Sequence, residues 1–587
     1  MDLHGEKTLT GARVLLAAFG LALGGWGLGW GLPSRERLDL VMPPGLAGPD
    51  FGRLLSDSWK AMHQRLGENL MLNPEAWKSF SGVRKTPAGW KTPPEVLLNS
   101  YRSFHVRSAH EDEQTMLIIL SRMRPWKFEF HHHMFTYGAV YLYSLGAWLA
   151  LGWAAGLVSL HTSLEPYIAD PDKMAGLYLA GRAFSLAAYV GVSWMLLRLG
   201  RRVFDNTTGL LAGLLFLFSP GVLTQSHVMK NHTFWALLAL LTVDRCLTLL
   251  ERGKKSDYAL AGALSGLTVG AFLNAWPACL VVGAAGGLRI LYKKATAKEF
   301  GNGIIIAAAA SAAAFLATNP FWIFSWNEAL REMAVLKTVG AMDWRHPFIF
   351  LWNPVRHGVT APVLALALAG AGLAVWRRRK EPGVLLCLIA VGLGLAVTVT
   401  FGGVYDTRHM RYGLGWIALL MLFAAYAAKS FSSLPDRFRP YSVALISVII
   451  SNSFLSGATY SRNFALDAGK NSTHARSGAW ISEHVPEGAV IGLLRLPQPS
   501  NAPYFRYGRN PMMFIERPFF AGLPPEELPG YLVVAIPDYD DRPFLGPNFG
   551  RYERVARFER EEPFPWILIE RSATTANPVI EVYKLKS

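Results

Sequence analysis

The chain has 587 residues, of which 51% are hydrophobic and only 17% charged, against about 25% charged in an ordinary soluble domain. This excludes a disordered chain, a collagen and a disulfide-rich secreted module, and it points to a membrane protein. Lys and Arg number 58 against 42 Asp and Glu, a formal charge of +16; in a soluble protein that would suggest nucleic acid, but in a membrane protein the same excess sets topology. The three cysteines, Cys246, Cys279 and Cys387, all sit in apolar runs without a CxxC pair. They read as small buried hydrophobes, not as a disulfide framework or a thiolate metal site.

A spanning helix needs about 20 mostly apolar residues. The first candidate covers 12–32 and is rich in glycine, which suits close helix packing. Its Leu-Gly-Trp-Gly-Leu-Pro end is a poor cleavage site, so it reads as an uncleaved first span. A polar stretch follows over 33–132, with proline, tryptophan, charge and amphipathic pieces. Further apolar runs lie near 134–160, 175–199, 208–226, 233–250, 258–274, 277–292, 303–320, 361–376, 383–401, 412–428 and 440–457. After Ser461 the chain is polar again. There the pattern predicts a helix over 475–485 and strands over 489–494, 531–536, 552–558, 566–569 and 580–583, a small α/β domain.

Basic residues orient these spans. Short basic connectors occur at Arg198/Arg201/Arg202, Arg252/Lys254/Lys255, Lys293/Lys294/Lys298, 377–380 and Lys429/Arg437/Arg439. With these five on the cytoplasmic side, the connectors at 227–232, 274–277, 319–360 and 402–412 face outward, as does the C-terminal region. The run at 134–160 then cannot be a single crossing, because the 33–132 loop before it and the start of the next span are both outside. It reads as a juxtamembrane or re-entrant segment, leaving about eleven spans. The expected fold is therefore a polytopic α-helical membrane protein with a small extracytoplasmic α/β domain. Its parts are 1–32 (first span), 33–160 (first outer loop), 161–460 (multi-span domain) and 461–587 (outer domain). The expected location is the inner (plasma) membrane, with the N-terminus cytoplasmic.

The outer connectors hold the unusual residues. One reads Gln225-Ser-His227-Val-Met-Lys230-Asn231-His232, and another Tyr405-Asp-Thr-Arg408-His409-Met-Arg411-Tyr412. The most informative string is His110-Glu111-Asp112-Glu113-Gln114, followed by His131-His132-His133. Acids beside a membrane are expensive unless solvated or used, although Asp and Glu also suit a helix N-terminus. Consecutive histidines rarely share one helix face, so a common metal ion would need distant ligands; the default reading is an interfacial polar cluster, with a divalent metal as the minor alternative and no cofactor firmly predicted.

An Asp-Glu pair in a long first outer loop resembles the GT-C class of membrane glycosyltransferases, and among them glycosyltransferase family 39, the protein O-mannosyltransferases and lipid A aminoarabinose transferases. Further strings agree in order over about 80–580: Ala180-Gly-Arg182, Phe218-Ser-Pro-Gly221, Tyr258 to Leu267, Thr318-Asn-Pro320, His409-Met-Arg411-Tyr412 and Trp480 to Gly488. The family's juxtamembrane helices would also account for 134–160.

The resemblance implies a donor sugar on a polyprenyl phosphate and a hydroxyl acceptor on a protein, lipid or glycan, joined with inversion on the outer face. Asp112 matches the family's catalytic Asp and Glu113 its partner, with Glu111 a register alternative. Arg411 and Tyr412 match the position near the donor phosphate, with Arg408 and His409 as close alternatives. Arg182 is carried over too, beside its reading as a structural or snorkelling arginine. Many members have an Asp in the second outer loop where this chain has Lys230-Asn231-His232; with His227 these are acceptor or accessory candidates. The bilayer is a partner and nucleic acid is not. A secondary transporter or a non-catalytic scaffold is the alternative, but the polar clusters lie in outer connectors and the two halves do not repeat.

Overall fold

In the computed structural model, the described residues are 3–43, 48–66, 84–86, 89–91, 94–337, 344–406, 409–494, 496–514, 520–536, 542–560, 564 and 576–586. Helices dominate. Among the described residues, seven are long and apolar enough to cross a membrane, or eight if the bent pair Asn206–Phe218 and Pro220–Ser226 is one span. Three more helices stand where spans are expected, Leu3–Gly25, Lys255–Ala271 and Pro382–Asp406. The protein is thus a multi-pass membrane protein.

The run at 208–226, expected as one straight span, is broken: its two helices meet at 72°. Ser219 is extended (ψ 116°) ahead of Pro220, as a residue before proline tends to be. The short second helix turns the chain toward Gln225–His232. The apolar run at 134–160 contains a helix of 16 residues, Ala139–Ala154, about 24 Å long at 1.5 Å per residue and short of a roughly 30 Å hydrocarbon core. Trp148, Leu151 and Trp153 lie exposed on it, and Trp148 Nε1 donates to the Ala180 carbonyl at 2.9 Å. The 319–360 connector is also helical in part, with Phe321–Phe324, Trp326–Lys337, His346–Phe350 and Arg356–Val359.

The basic ends of several helices are tied by ion pairs. Arg198 and Arg202 both reach Asp244 (3.0 and 3.1 Å), and Lys429 reaches Asp205 (2.7 Å), which also caps the helix Asn206–Phe218.

Strands β1 (Arg84–Thr86) and β2 (Gly89–Lys91) form a hairpin in the first outer loop. The other five are β3 (Ile491–Leu493), β4 (Met512–Phe514), β5 (Tyr531–Ile536), β6 (Tyr552–Phe558) and β7 (Val579–Leu585). They form one sheet in the order β4-β3-β5-β7-β6. β3 pairs parallel with β4 and β5, while β7 is antiparallel to β5 and β6. The helix Thr473–His484 lies beside it. β4 was not expected, and the expected strand at 566–569 lies outside the described residues.

This outer domain does not stand apart. One buried apolar cluster joins Val41, Tyr101 and Phe104 of the first outer loop to Ile481, Ile491, Tyr504, Tyr507 and Val582. Phe104 meets Tyr504 and Tyr507 edge-on at 5.6 and 5.5 Å. Tyr507 N donates to the Val41 carbonyl at 3.0 Å, and Tyr101 Oη to the Tyr507 carbonyl at 3.1 Å. The first outer loop is therefore a layer between the spans and the sheet, and the acidic triplet lies within it.

Candidate active site

The triplet opens the helix Glu111–Arg122. His110 is its N-cap, and its Nδ1 accepts the Asp112 N–H at 3.3 Å. Burial pushes the His110 imidazole down to about 4, so it is neutral, with its proton on Nε2 when Nδ1 accepts. At 100° per residue, three successive acids in a first helical turn must diverge, and each has its own partner.

Glu111 faces the outer domain, where Ser500 Oγ donates to its Oε1 at 3.1 Å. Glu113 points inward and is fully buried. Arg182, also fully buried in the span Pro171–Val203, grips it through Nε to Oε1 (2.8 Å) and Nη2 to Oε2 (2.7 Å). Ser108 Oγ donates to Oε2 (2.5 Å) and Met229 N to Oε1 (2.7 Å). Burial acts to raise the Glu113 carboxyl, and Arg182 and these donors outweigh it, holding it below the usual range. Arg182 spends Nη1 on the carbonyls of Leu28 and Trp30 (2.8 and 2.7 Å) and lies over the Trp30 ring. Three distant segments thus close on one pair: the first span's end, the first outer loop and the second outer loop.

Asp112 keeps about a third of its side chain exposed and is ion-paired with Lys230. Burial would raise its carboxyl, but Lys230, His110 and Arg411 prevail and hold it well below the usual carboxylate range. Lys230 is almost wholly buried, lies 5.7 Å from the Tyr137 ring centroid, and is pushed down to about 8 by burial, with Asp112 acting against the fall.

Arg411 and Tyr412 lie on the short turn Met410–Gly413. The Arg411 guanidinium is 5.3 Å from the Tyr412 ring and acts electrostatically on Asp112, Lys230 and His110. Tyr412 stacks near Phe272 (6.1 Å) and meets His232 edge-on (5.8 Å). His232 is buried, and neither ring nitrogen has a hydrogen-bond partner among the described residues. The structure therefore brings together Asp112, Lys230, His232, Arg411 and Tyr412, contributed by three connectors.

The other candidates are placed differently. Asn231 donates through Nδ2 to the Ala271 carbonyl at 3.0 Å, which anchors the second outer loop. His227 stacks on Phe464 at 4.3 Å, with its ring nitrogens 3.1 and 3.0 Å from the carbonyls of Leu223 and Trp26. Arg408 lies outside the described residues. Tyr137, Ser108 and His110 were not singled out as site residues. Their roles depend on contacts across the fold, although His110 stands where an N-cap is expected.

The histidine run divides between two environments. His132 turns into the core beside Phe135. His133, at φ 52°, brings its ring to 3.8 Å from that of His131. Both face Glu328 of the helix Trp326–Lys337, at 3.8 and 3.7 Å. One ligand atom from each of the three lies within 4.8 Å of the others, so two imidazoles and a carboxylate, a donor set suited to zinc-like ions, could hold a cation. Glu328 is distant in sequence from both histidines, and no local signal marks it. One turn on, Glu332 accepts the Phe135 and Thr136 N–H groups (2.9 and 2.6 Å), fixing the strand of chain that leads to Tyr137.

No family model and no curated protein matches the chain. Solved structures similar to it include ArnT from Cupriavidus metallidurans bound to undecaprenyl phosphate, with a TM-score of 0.41, 12% identity and coverage of 98% of both chains. They also include the archaeal oligosaccharyltransferase AglB from Archaeoglobus fulgidus with an inhibitory peptide and a dolichol-phosphate, with a TM-score of 0.39, 13% identity and coverage of 83% of this chain and 59% of that one. A third is an Archaeoglobus fulgidus oligosaccharyltransferase with Zn and sulfate, with a TM-score of 0.38, 14% identity and coverage of 60% and 47%. The chain spans about half the length of that last structure.

Proposed function

We propose that the protein is an inverting glycosyltransferase that moves a sugar from a polyprenyl-phosphate donor to a hydroxyl acceptor on the outer face of the membrane. The observation that carries this reading is the separation of the acids. Glu113 is sealed against Arg182; Glu111 is exposed and takes a hydrogen bond from Ser500; Asp112 is the half-buried carboxylate, paired with Lys230 and acted on by Arg411.

An inverting transfer needs those two features side by side. A carboxylate takes the acceptor's proton as the hydroxyl oxygen attacks the anomeric carbon. Fixed cations stabilise the phosphate as the glycosidic C–O bond breaks and its electron pair passes to the phosphate oxygen. Asp112 is the base, and Arg411, with Tyr412 beside it, meets the phosphate. Arg182 and Glu113 are positioning residues: they fix the helix start from which Asp112 projects. Asn231 and His227 hold the second outer loop in place.

Asp112→Asn keeps the shape and removes the base. Transfer from a polyprenyl-phosphate sugar should fall about 10²- to 10⁴-fold with unchanged expression, and unchanged transfer by this variant would sink the assignment. Arg411→Ala should weaken donor binding; donor affinity equal to wild type would remove Arg411 from the phosphate.

A further inference from the structure

We infer that Lys230 is a movable cation serving two anions in turn: Asp112 while no donor is bound, and the donor phosphate once it arrives. This rests on the reading of Asp112 as the base. Lys230 joins a rigid root to a head that has one carboxylate partner. Its own N–H donates to the Val228 carbonyl (2.8 Å), its carbonyl accepts from Ser185 Oγ (3.4 Å), and the neighbouring Met229 N–H is fixed on Glu113. Its ammonium, by contrast, meets the Asp112 carboxylate and the face of Tyr137. A lysine is a point charge on a flexible four-carbon stem and can change partner without moving its backbone.

The charges around it favour such an exchange. The groups facing Lys230 are Asp112 and His110 from the first outer loop, Tyr137 ahead of Ala139–Ala154, the adjacent His232, and Arg411 with Tyr412. His110 is neutral, so two cations share one carboxylate, and a phosphate monoanion completes the balance. Paired with Lys230, Asp112 is a weak base. When the phosphate draws Lys230 away, burial acts on Asp112 with less opposition and its proton affinity rises. The acceptor O–H proton then passes to Asp112, the acceptor oxygen bonds to the anomeric carbon, and the polyprenyl phosphate leaves with the electron pair of the broken C–O bond, facing Lys230 and Arg411. Donor binding thereby switches on the base.

The test uses the full-length protein in lipid nanodiscs, with polyprenyl phosphate as the probe. The protonated Asp112 carbonyl band is followed by infrared difference spectroscopy across pH, assigned by its loss in Asp112→Asn. In the wild type, polyprenyl phosphate should move the Asp112 titration upward. In Lys230→Met, the titration should already be high without the probe and should not move with it, and probe affinity should fall roughly tenfold to hundredfold. Lys230→Gln carries the same readouts if the methionine variant does not fold. A wild-type titration unmoved by saturating probe, or a Lys230→Met affinity equal to wild type, overturns the exchange. No binding of polyprenyl phosphate by the wild type overturns the donor reading beneath it.

Discussion

Arg182 holds Glu113 by two parallel hydrogen bonds of 2.8 and 2.7 Å, with both side chains wholly out of solvent. Such a pair is geometric before it is energetic. Its carboxylate also receives Ser108 and Met229, and its guanidinium also reaches Leu28 and Trp30. It locks two outer loops and the end of the first span together directly beneath Asp112.

Breaking one side of this pair leaves a buried charge uncompensated, which costs about 3–5 kcal/mol. Glu113→Gln and Arg182→Met should each lower the thermal midpoint sharply in detergent. The double variant should lose less than the sum of the two, because no lone charge remains. Additive losses would show that the two side chains do not act as a unit.

The three acids should separate cleanly in activity. Glu111→Gln disturbs a hydrogen bond from Ser500 worth about 0.5–1.5 kcal/mol and should leave transfer within about tenfold of wild type, whereas Asp112→Asn should cost 10²- to 10⁴-fold. Initial rates with a lipid-linked sugar decide this, and the reverse ranking would move the base to Glu111.

Asp467, just past the last span, gives a pH-dependent stability. Burial pushes its carboxyl up to about 8, while Asn577, Arg182 and Arg37 act the other way without overcoming it. The folded protein therefore keeps a proton that the unfolded chain releases near its ordinary value of 3.8. Stability should fall as pH rises from about 4 to about 8, by up to roughly 1.4 kcal/mol per pH unit, and level off above that. Asp467→Asn should flatten this slope and raise the melting temperature at neutral pH. A wild-type slope retained in the variant would assign the effect elsewhere.

Phe104, fully buried between the first outer loop and the outer domain, should be among the costliest single truncations there. Phe104→Ala is expected to lose about 3–5 kcal/mol. The outer domain produced alone as 461–587 should bind a hydrophobic dye strongly, because the residues it contributes to that cluster would face water. A fragment that unfolds cooperatively without dye binding would show that its sheet is self-sufficient.

The sequence by itself determined the architecture in outline. Runs of about 20 apolar residues mark the spans, and the short apolar runs over 531–536 and 552–558 form strands with those same bounds. Charge beside a membrane drew attention to the acidic triplet and a few basic residues of the connectors, and the resemblance to the GT-C class is what suggested their chemistry. The sequence did not tell Glu111, Asp112 and Glu113 apart. One helical turn carries them in three directions, and only the packed neighbours decide what each meets: Ser500, Lys230 or Arg182. Nor could His131 and His133 be joined to Glu328, or the break at Ser219 be foreseen to aim Lys230 at Asp112. Local spacing governs which elements form. Which side chains become partners depends on how segments 69 to 389 residues apart are brought together, and that belongs to the tertiary structure.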